Sequence, residues 1–388
     1  MGFIKKTMNK IISVLFYLYS LLVVLFPAAD FLISKKLIFA VLTCLCLFEF
    51  FLNYNKKIHV LNLFRILIIF IILLLGTISS INDEYSNYIF LIVSCVSLLL
   101  ILLLDNSIDY IKVIKYVGLC LSIIVVISVL ASLVSNSFVK RIQSLFLALD
   151  SGFWGTRQFG TLNLFMIHFR TSPILIIPFS LFFIEYCDYK KITSFICLFI
   201  VGLGIIFSAS RGLILFSYIS LLLICLCNIK VKIYRRFFLF LLIVAVLGLF
   251  FLLTYTNVFD TKEKSNSIKI KHITSFFELI SEKPLILLIG NGTGSSYFSS
   301  GFNEITWQTE VTFLDMVRYW GIFGTLIVLF CFLYNKNKTL EKKYVIPFVL
   351  YVISAALNPL IFNSTGMLVL TIYILLTSNS GKKYNEIV

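Results

Sequence analysis

Charge is what this chain has least of. Only 13% of its 388 residues are charged while 60% are hydrophobic, and the mean hydropathy is +1.02. That leaves too little polar surface to coat a water-soluble globule of this length, so the expected solvent is a bilayer. Acidic residues are scarcer than basic ones, 18 against 33, giving a formal net charge of +15. Proline and glycine are also few, at 6 and 18 residues. With no linker-like stretch, soluble module or internal repeat, residues 1–388 read as one membrane domain.

The 9 cysteines are Cys44, Cys46, Cys95, Cys120, Cys187, Cys197, Cys225, Cys227 and Cys331, all within or at the ends of apolar runs. None falls in a long polar segment, which excludes a disulfide framework. The pairs Cys44/Cys46 and Cys225/Cys227 are two apart, so on a helix they point about 200° away from each other and cannot share a metal. No metal and no cofactor is expected.

What the chain has in abundance is apolar runs of about 15 to 21 residues, each near the length a helix needs to cross the hydrocarbon core. They lie near 11–28, 37–52, 63–80, 88–104, 115–135, 165–186, 192–208, 213–228, 237–256, 311–334, 344–362 and 364–379. The fold expected is therefore an all-α polytopic integral membrane protein of about 12 transmembrane helices. The opening run follows Lys5, Lys6 and Lys10 and reaches Pro27 without a small-residue cleavage pattern, so it reads as the first span.

With the amino terminus inside, the inner loops collect Lys56 and Lys57, Lys112 and Lys115, Lys190 and Lys191, and Lys230, Lys232, Arg235 and Arg236. Lys336, Lys338, Lys342 and Lys343, then Lys382 and Lys383, continue the series. Such a bias places both termini in the cytoplasm. Most of the net charge is accounted for by this orientation signal and by attraction to anionic inner-leaflet lipid. Nucleic acid is not an expected partner, because no water-exposed basic and aromatic surface is present to bind it.

Two long hydrophilic segments, 136–163 and 257–310, fall on the outer side and nevertheless carry Lys140, Arg141, Arg157, Lys262, Lys264, Lys269, Lys271 and Lys283. Topology does not require cations there, whereas an anionic partner would. In the first segment Ile142, Leu145, Phe146 and Leu149 follow helical spacing. In the second, Ile273, Phe276, Phe277 and Ile280 do so among Lys271, Glu278, Glu282 and Lys283. Each pattern predicts an interfacial helix at headgroup depth, either covering the bundle or holding cations near lipid-linked phosphates.

Several outer residues stand out. Arg211 lies in Ser208-Ala209-Ser210-Arg211-Gly212 between two apolar runs, a depth at which an arginine either snorkels to the interface or faces an anion or a watery cavity. His168 and Arg170 are expected to enter the sixth helix from its outer end, with Arg157 upstream, so Arg141, Arg157, Arg170 and Arg211 share one side of the membrane. Guanidinium forks suit a pyrophosphate better than ammonium does. The turn Gly290-Asn291-Gly292-Thr293-Gly294 lacks the lysine and hydroxyl of a phosphate-binding P-loop, and its glycines fit a sharp turn or a close approach of backbone to a substrate. Glu310 opens the tenth helix, where a carboxylate also suits the helix dipole, and Asp315 and Arg318 follow within about two turns.

The string FSASRG at a hairpin tip, then ITSFFELISEKPLILLIGNGTGSS, then TEVTFLDMVRYWGIFG, resembles the O-antigen ligase and polymerase superfamily, most closely its Wzy-type polysaccharide polymerases. The resemblance implies a GT-C-like scaffold with a large extracytoplasmic loop before the tenth helix, in a bacterial cytoplasmic membrane. It implies a metal-independent inverting glycosyl transfer that joins oligosaccharide repeat units carried on undecaprenyl pyrophosphate. Arg141 and Gly152 fit the arginine, ten residues, glycine spacing of some members; in the late loop only Lys283 and Gly294 approach it. The ligase branch carries a late-loop histidine, where this chain has Glu310 and, much earlier, His272.

On this resemblance Arg211 and Arg157 are assigned to the donor pyrophosphate, Arg170, Arg141 and Arg318 to support or to the acceptor's pyrophosphate, and Glu310 or His272 to the acceptor hydroxyl. Membrane lipid, a flippase and a chain-length regulator are the implied partners. The alternatives are an O-antigen ligase, with lipid A core as acceptor, and a flippase or other transporter. A transporter concentrates its ionisable groups near the bilayer midplane.

Overall fold

A computed structural model describes residues 2–28, 34–52, 59–79, 85–104, 108–134, 140–141, 143–144, 148, 152–159, 162–228, 264–334 and 340–378. In chain order the elements are α1 (Gly2–Leu25), α2 (Lys35–Leu52), α3 (Val60–Ser79), α4 (Tyr85–Val96), the short α5 (Leu100–Leu103) and α6 (Tyr110–Val134). A hairpin of β1 (Gly152–Phe159) and β2 (Leu162–Phe169) follows, then α7 (Ile176–Tyr189), α8 (Ile192–Phe207) and α9 (Arg211–Asn228). After these come α10 (Lys264–Glu282), α11 (Ile286–Ile289), β3 (Tyr297–Ser299), β4 (Glu304–Thr306), α12 (Thr312–Leu333), α13 (Lys342–Ala356) and α14 (Ser364–Ser378).

The helices are built for lipid. α3 buries Ile66, Ile69 and Leu73 but leaves Phe64, Leu67, Leu74, Leu75 and Ile78 at least half exposed. Large apolar side chains on the outside of an already packed helix suit hydrocarbon and not water. Six described helical stretches are long and apolar enough to span a membrane: Lys6–Leu25, Val60–Ile78, Tyr110–Ser132, Ser172–Tyr189, Arg211–Asn228 and Thr312–Leu333. Shorter apolar helices cover Asn87–Leu103, Ile192–Phe207 and Ser364–Ser378. The chain is thus a predominantly helical membrane protein, and the run expected at 237–256 lies outside the described residues.

The chain divides into two compact units. The first comprises residues 1–49, 106–258 and 340–354, the second residues 50–105, 259–339 and 355–388. Small residues close the first unit: a Cβ on Gly118 would sit 2.4 Å from Pro178, and one on Gly204 would sit 2.8 Å from Ser122, so α6 lies directly against α7 and α8. Polar pairs tie α7 to two neighbours, with the Ser180 hydroxyl 2.6 Å from that of Ser220 on α9 and Glu185 ion-paired to Lys115 of α6. Lys343 bridges Asp188 at 2.7 Å and Glu341 at 3.2 Å.

One expected boundary is overturned in this unit. The sixth helix was expected from residue 165, yet 162–169 are strand, paired antiparallel with β1 so that Phe153 faces His168 and Arg157 faces Leu164. Pro173 then opens a short 3₁₀ turn at Ser172–Leu175 before α7 begins. A short apolar run satisfies either a strand or a helix, and over Met166–Phe169 the buried residues Ile167 and Phe169 alternate with half-buried Met166 and His168, a period of two. In the segment 136–163, Lys140, Arg141, Gln143, Ser144 and Ala148 are helical and exposed, while Ile142, Leu145, Phe146 and Leu149, on which the interfacial helix was expected, lie outside the described residues.

Candidate functional site

The late polar segment of the second unit is ordered by its own side chains. α10 presents His272 and Ser275 to the β3/β4 hairpin: His272 Nδ1 lies 2.5 Å from the Ser299 hydroxyl, and Ser275 is 2.7 Å from Ser300, whose amide also donates to it at 3.0 Å. Phe302 meets the imidazole edge-on at 4.5 Å, and Gly301 is kept bare because a Cβ there would come within 2.5 Å of the ring. The buried side of α10 is therefore His272, Ser275 and Phe276, whereas Ile273 and Phe277 remain exposed. The expected amphipathic helix forms, but its buried stripe is rotated toward the polar residues that fasten it to the hairpin.

His272 is fully buried, and its Nε2 has no hydrogen-bond partner. Burial, reinforced by the nearby Lys269 charge, holds the imidazole below its ordinary pKa, so the ring is neutral at pH 7. Lys269 itself is anchored, donating to the Leu357 carbonyl at 3.0 Å and lying 3.4 Å from Asn358 Oδ1. The same ammonium acts on Glu310, where burial raises the carboxyl pKa and Lys269 partly offsets the rise. Glu310 is half-buried at the start of α12. A carboxylate with raised proton affinity and one open side is a group able to take a proton from a hydroxyl.

Behind Glu310 stands a buried lock. Asp315 Oδ2 accepts from the Thr309 amide at 2.8 Å and the Thr309 hydroxyl at 3.1 Å, and Asp315 Oδ1 accepts from Arg318 Nη2 at 3.1 Å. Arg318 also donates to the Trp307 carbonyl and to Ser295 Oγ at 3.3 Å, with its guanidinium between the rings of Tyr297 and Tyr319, 4.7 and 4.6 Å away. It is completely buried. A guanidinium so enclosed positions the Trp307–Glu310 loop, and it would meet a substrate phosphate only by giving up these partners.

The glycine-rich turn has a structural counterpart. α12 is broken at Gly321, whose φ of 66° and ψ of 178° are non-helical. The carbonyls of Arg318 and Tyr319 that the break frees accept from the amides of Asn291 at 2.7 Å and Gly292 at 3.1 Å. Thr293 extends the joint, its amide donating to the Gly76 carbonyl at 3.0 Å and its hydroxyl accepting from Trp320 Nε1 at 2.9 Å. Gly290, at φ 81°, is required because a Cβ would lie 2.3 Å from the Tyr319 carbonyl oxygen. These glycines were expected to make a sharp turn or to let backbone approach a substrate; the backbone they approach is the protein's own helix.

The remaining sequence candidates belong to the first unit. Arg211 is the first residue of α9, half-buried, two residues after buried Ala209, which holds the left-handed φ of 46°. That conformation costs a non-glycine residue roughly 1 kcal/mol and sharpens the turn that aims Arg211. Arg170 is exposed in the turn after β2, Arg141 is exposed on its helical segment, and Arg157 lies on β1. The structure thus gathers Glu310, His272 and Arg318 in one unit and Arg141, Arg157, Arg170 and Arg211 in the other. Sequence reasoning missed the aromatic clamp of Tyr297 and Tyr319; the only local sign of it is Tyr319 adjoining Arg318.

Among the described residues no group of three or more His, Cys, Asp and Glu side chains is arranged to hold a metal ion. No family model, curated protein or solved structure matches the chain.

Proposed function

We propose that the chain is a polysaccharide polymerase that joins undecaprenyl-pyrophosphate-linked oligosaccharide repeat units into O-antigen or capsular polysaccharide. In this reading it works at the outer face of the bacterial cytoplasmic membrane, with about 12 spans on a GT-C-like scaffold and both termini cytoplasmic. The observation that carries it is Glu310, an acid of raised proton affinity beside an anchored lysine, in an ordered polar segment at the mouth of a candidate span.

The reaction requires an acceptor hydroxyl to attack the donor's anomeric carbon. As the new glycosidic bond forms, the bond to the lipid pyrophosphate breaks and the leaving group takes the electron pair. Glu310 takes the hydroxyl proton; offsetting the charge that arrives on the pyrophosphate is the role the family resemblance assigns to Arg211 and Arg157. Arg170 and Arg141 support that anion or the acceptor's own pyrophosphate. His272, enclosed behind Ser299, holds α10 in register, and Arg318 fixes the loop that carries Glu310. A flippase would supply the substrate and a chain-length regulator would act on the product.

The test replaces Arg211 by alanine and by lysine, verifies membrane insertion, and measures surface polysaccharide length together with elongation of lipid-linked repeat units in proteoliposomes. The alanine variant is expected to leave single repeat units, and the lysine variant to retain a fraction of the activity. Polymer of wild-type length from a normally inserted alanine variant overturns the pyrophosphate assignment.

A transporter reading has one observation in its favour, the broken helix α12, since interrupted helices are common where carriers bind their cargo. Proteoliposomes that move the lipid-linked glycan across the bilayer without lengthening it would establish that reading instead.

A further inference from the structure

The second unit contains a buried guanidinium whose partners account for only part of it. Arg65 lies on α3 and is 4% exposed. Its Nη2 donates to the Tyr334 carbonyl, and its charge sits 5.6 Å from the Tyr334 ring. Its Nε and Nη1 are buried and have no hydrogen-bond partner. No carboxylate pairs with it among the described residues; the groups that act on it are Cys331, Tyr334 and Tyr373. Arg318, in the same unit, also leaves its Nε without a hydrogen-bond partner, but it has an aspartate as counter-charge, with a carbonyl, a hydroxyl and two aromatic rings besides.

The surroundings are polar and already partly satisfied among themselves. Asn62, three residues before Arg65 on the same face of α3, accepts from the Ser378 hydroxyl at 2.7 Å, and the Tyr373 hydroxyl donates to the Leu333 carbonyl at 3.1 Å. In sequence the two chain segments that meet at Arg65 adjoin cations: Lys56 and Lys57 precede α3, and Lys336 and Lys338 follow Tyr334. A buried cation without a counter-charge is strongly unfavourable. A guanidinium with donors to spare and no acid beside it among the described residues is complementary to an oxyanion.

We propose that Arg65 binds a phosphate group at the end of α3 opposite the Glu310 segment, with Nε and Nη1 as its donors. The phosphate belongs either to an anionic phospholipid headgroup or to a soluble phosphate. Neither the reaction nor the assignment of Arg211 is needed for this site. Phosphate takes charged hydrogen bonds from guanidinium more readily than from ammonium, so Arg65→Lys weakens binding and Arg65→Met weakens it further.

The experiment uses the full chain in nanodiscs of phosphatidylcholine, with and without phosphatidylglycerol, and with inorganic phosphate added to the pure phosphatidylcholine discs. Retained lipid is counted by native mass spectrometry, and thermal unfolding is followed in parallel. If a lipid headgroup is the source, wild type retains phosphatidylglycerol and unfolds at a higher temperature in its presence, with affinity about tenfold weaker in R65M and intermediate in R65K. If the source is soluble, inorganic phosphate raises the unfolding temperature of wild type more than that of R65M. Equal responses of wild type and R65M to both probes overturn the site. Should R65M fail to insert, the comparison of wild type with R65K decides it, equal responses again overturning the proposal.

Discussion

The lock around Asp315 can be probed by removing its charge while keeping its shape. In Asp315→Asn the amide oxygen can still accept from the Thr309 amide and hydroxyl, so those two bonds persist in weaker, neutral form. The new amide nitrogen then faces Arg318 Nη2, donor against donor, where an ion pair of 3.1 Å stood. One charged hydrogen bond of about 1.5 to 3 kcal/mol is lost, and a fully buried guanidinium keeps only a carbonyl, a hydroxyl and two ring faces. Breaking a buried pair from one side costs about 3 to 5 kcal/mol in total. Arg318→Met removes the stranded cation, so the double variant should be less unstable than the sum of the singles by about 2 kcal/mol.

The assay is SDS titration of detergent-solubilised protein followed by tryptophan fluorescence, for which Trp307 and Trp320 lie within or beside the lock. A cost for Asp315→Asn below about 1 kcal/mol, or additive singles, would refute the claim that charge neutralisation holds this loop.

Other perturbations address the neighbouring elements. Gly321→Ala places a Cβ 2.0 Å from the Leu288 carbonyl oxygen at φ 66°, so a loss above about 2 kcal/mol is expected by the same titration, and a neutral outcome would mean the joint adapts freely. His272 has its pKa depressed in the folded state, so its contribution to stability is present above the ordinary value of 6.5 and is lost as pH falls below it. A thermal melt series from pH 7.5 to 5 should show this slope flattened in His272→Gln, and parallel slopes would remove the histidine from the account. For Glu310, whose folded pKa is raised above 4.5, the sign is opposite: its contribution is greatest below that value and declines as pH rises through the folded one. Glu310→Gln is expected to lower elongation at least tenfold with insertion unchanged, as measured on lipid-linked repeat units; full activity would discard it as the proton acceptor.

The apolar runs made most of the helices legible, because a length near 20 residues of hydrocarbon character has few other uses. They did not reveal the β1/β2 hairpin, since Leu164–Phe169 is as apolar as the helix that follows and periodicity over six residues discriminates poorly. Nor could they show which face of α10 is buried. His272 and Ser275 are fastened to Ser299 and Ser300, 25 or more positions away, and a local pattern cannot anticipate a partner at that distance. For the candidate site, residue type identified Glu310, His272 and Arg318 as chemically able. Their division of labour depends on burial: Glu310 is partly open, while the other two are enclosed. Arg65 attracted attention only as a cation near a helix start, and its missing partners are a property of three chain segments brought together.

The broken helix also bears on how the protein is made. A continuous helix enters a bilayer with its backbone already satisfied, but α12 brings in two bare carbonyls, those of Arg318 and Tyr319. Their donors, the amides of Asn291 and Gly292, leave the ribosome earlier, as part of a turn that follows only the single helical turn α11. Each half is therefore incomplete until the other arrives. Insertion of this span and folding of the polar segment before it become a single event, so a lesion in the turn is expected to appear as a failure of membrane integration.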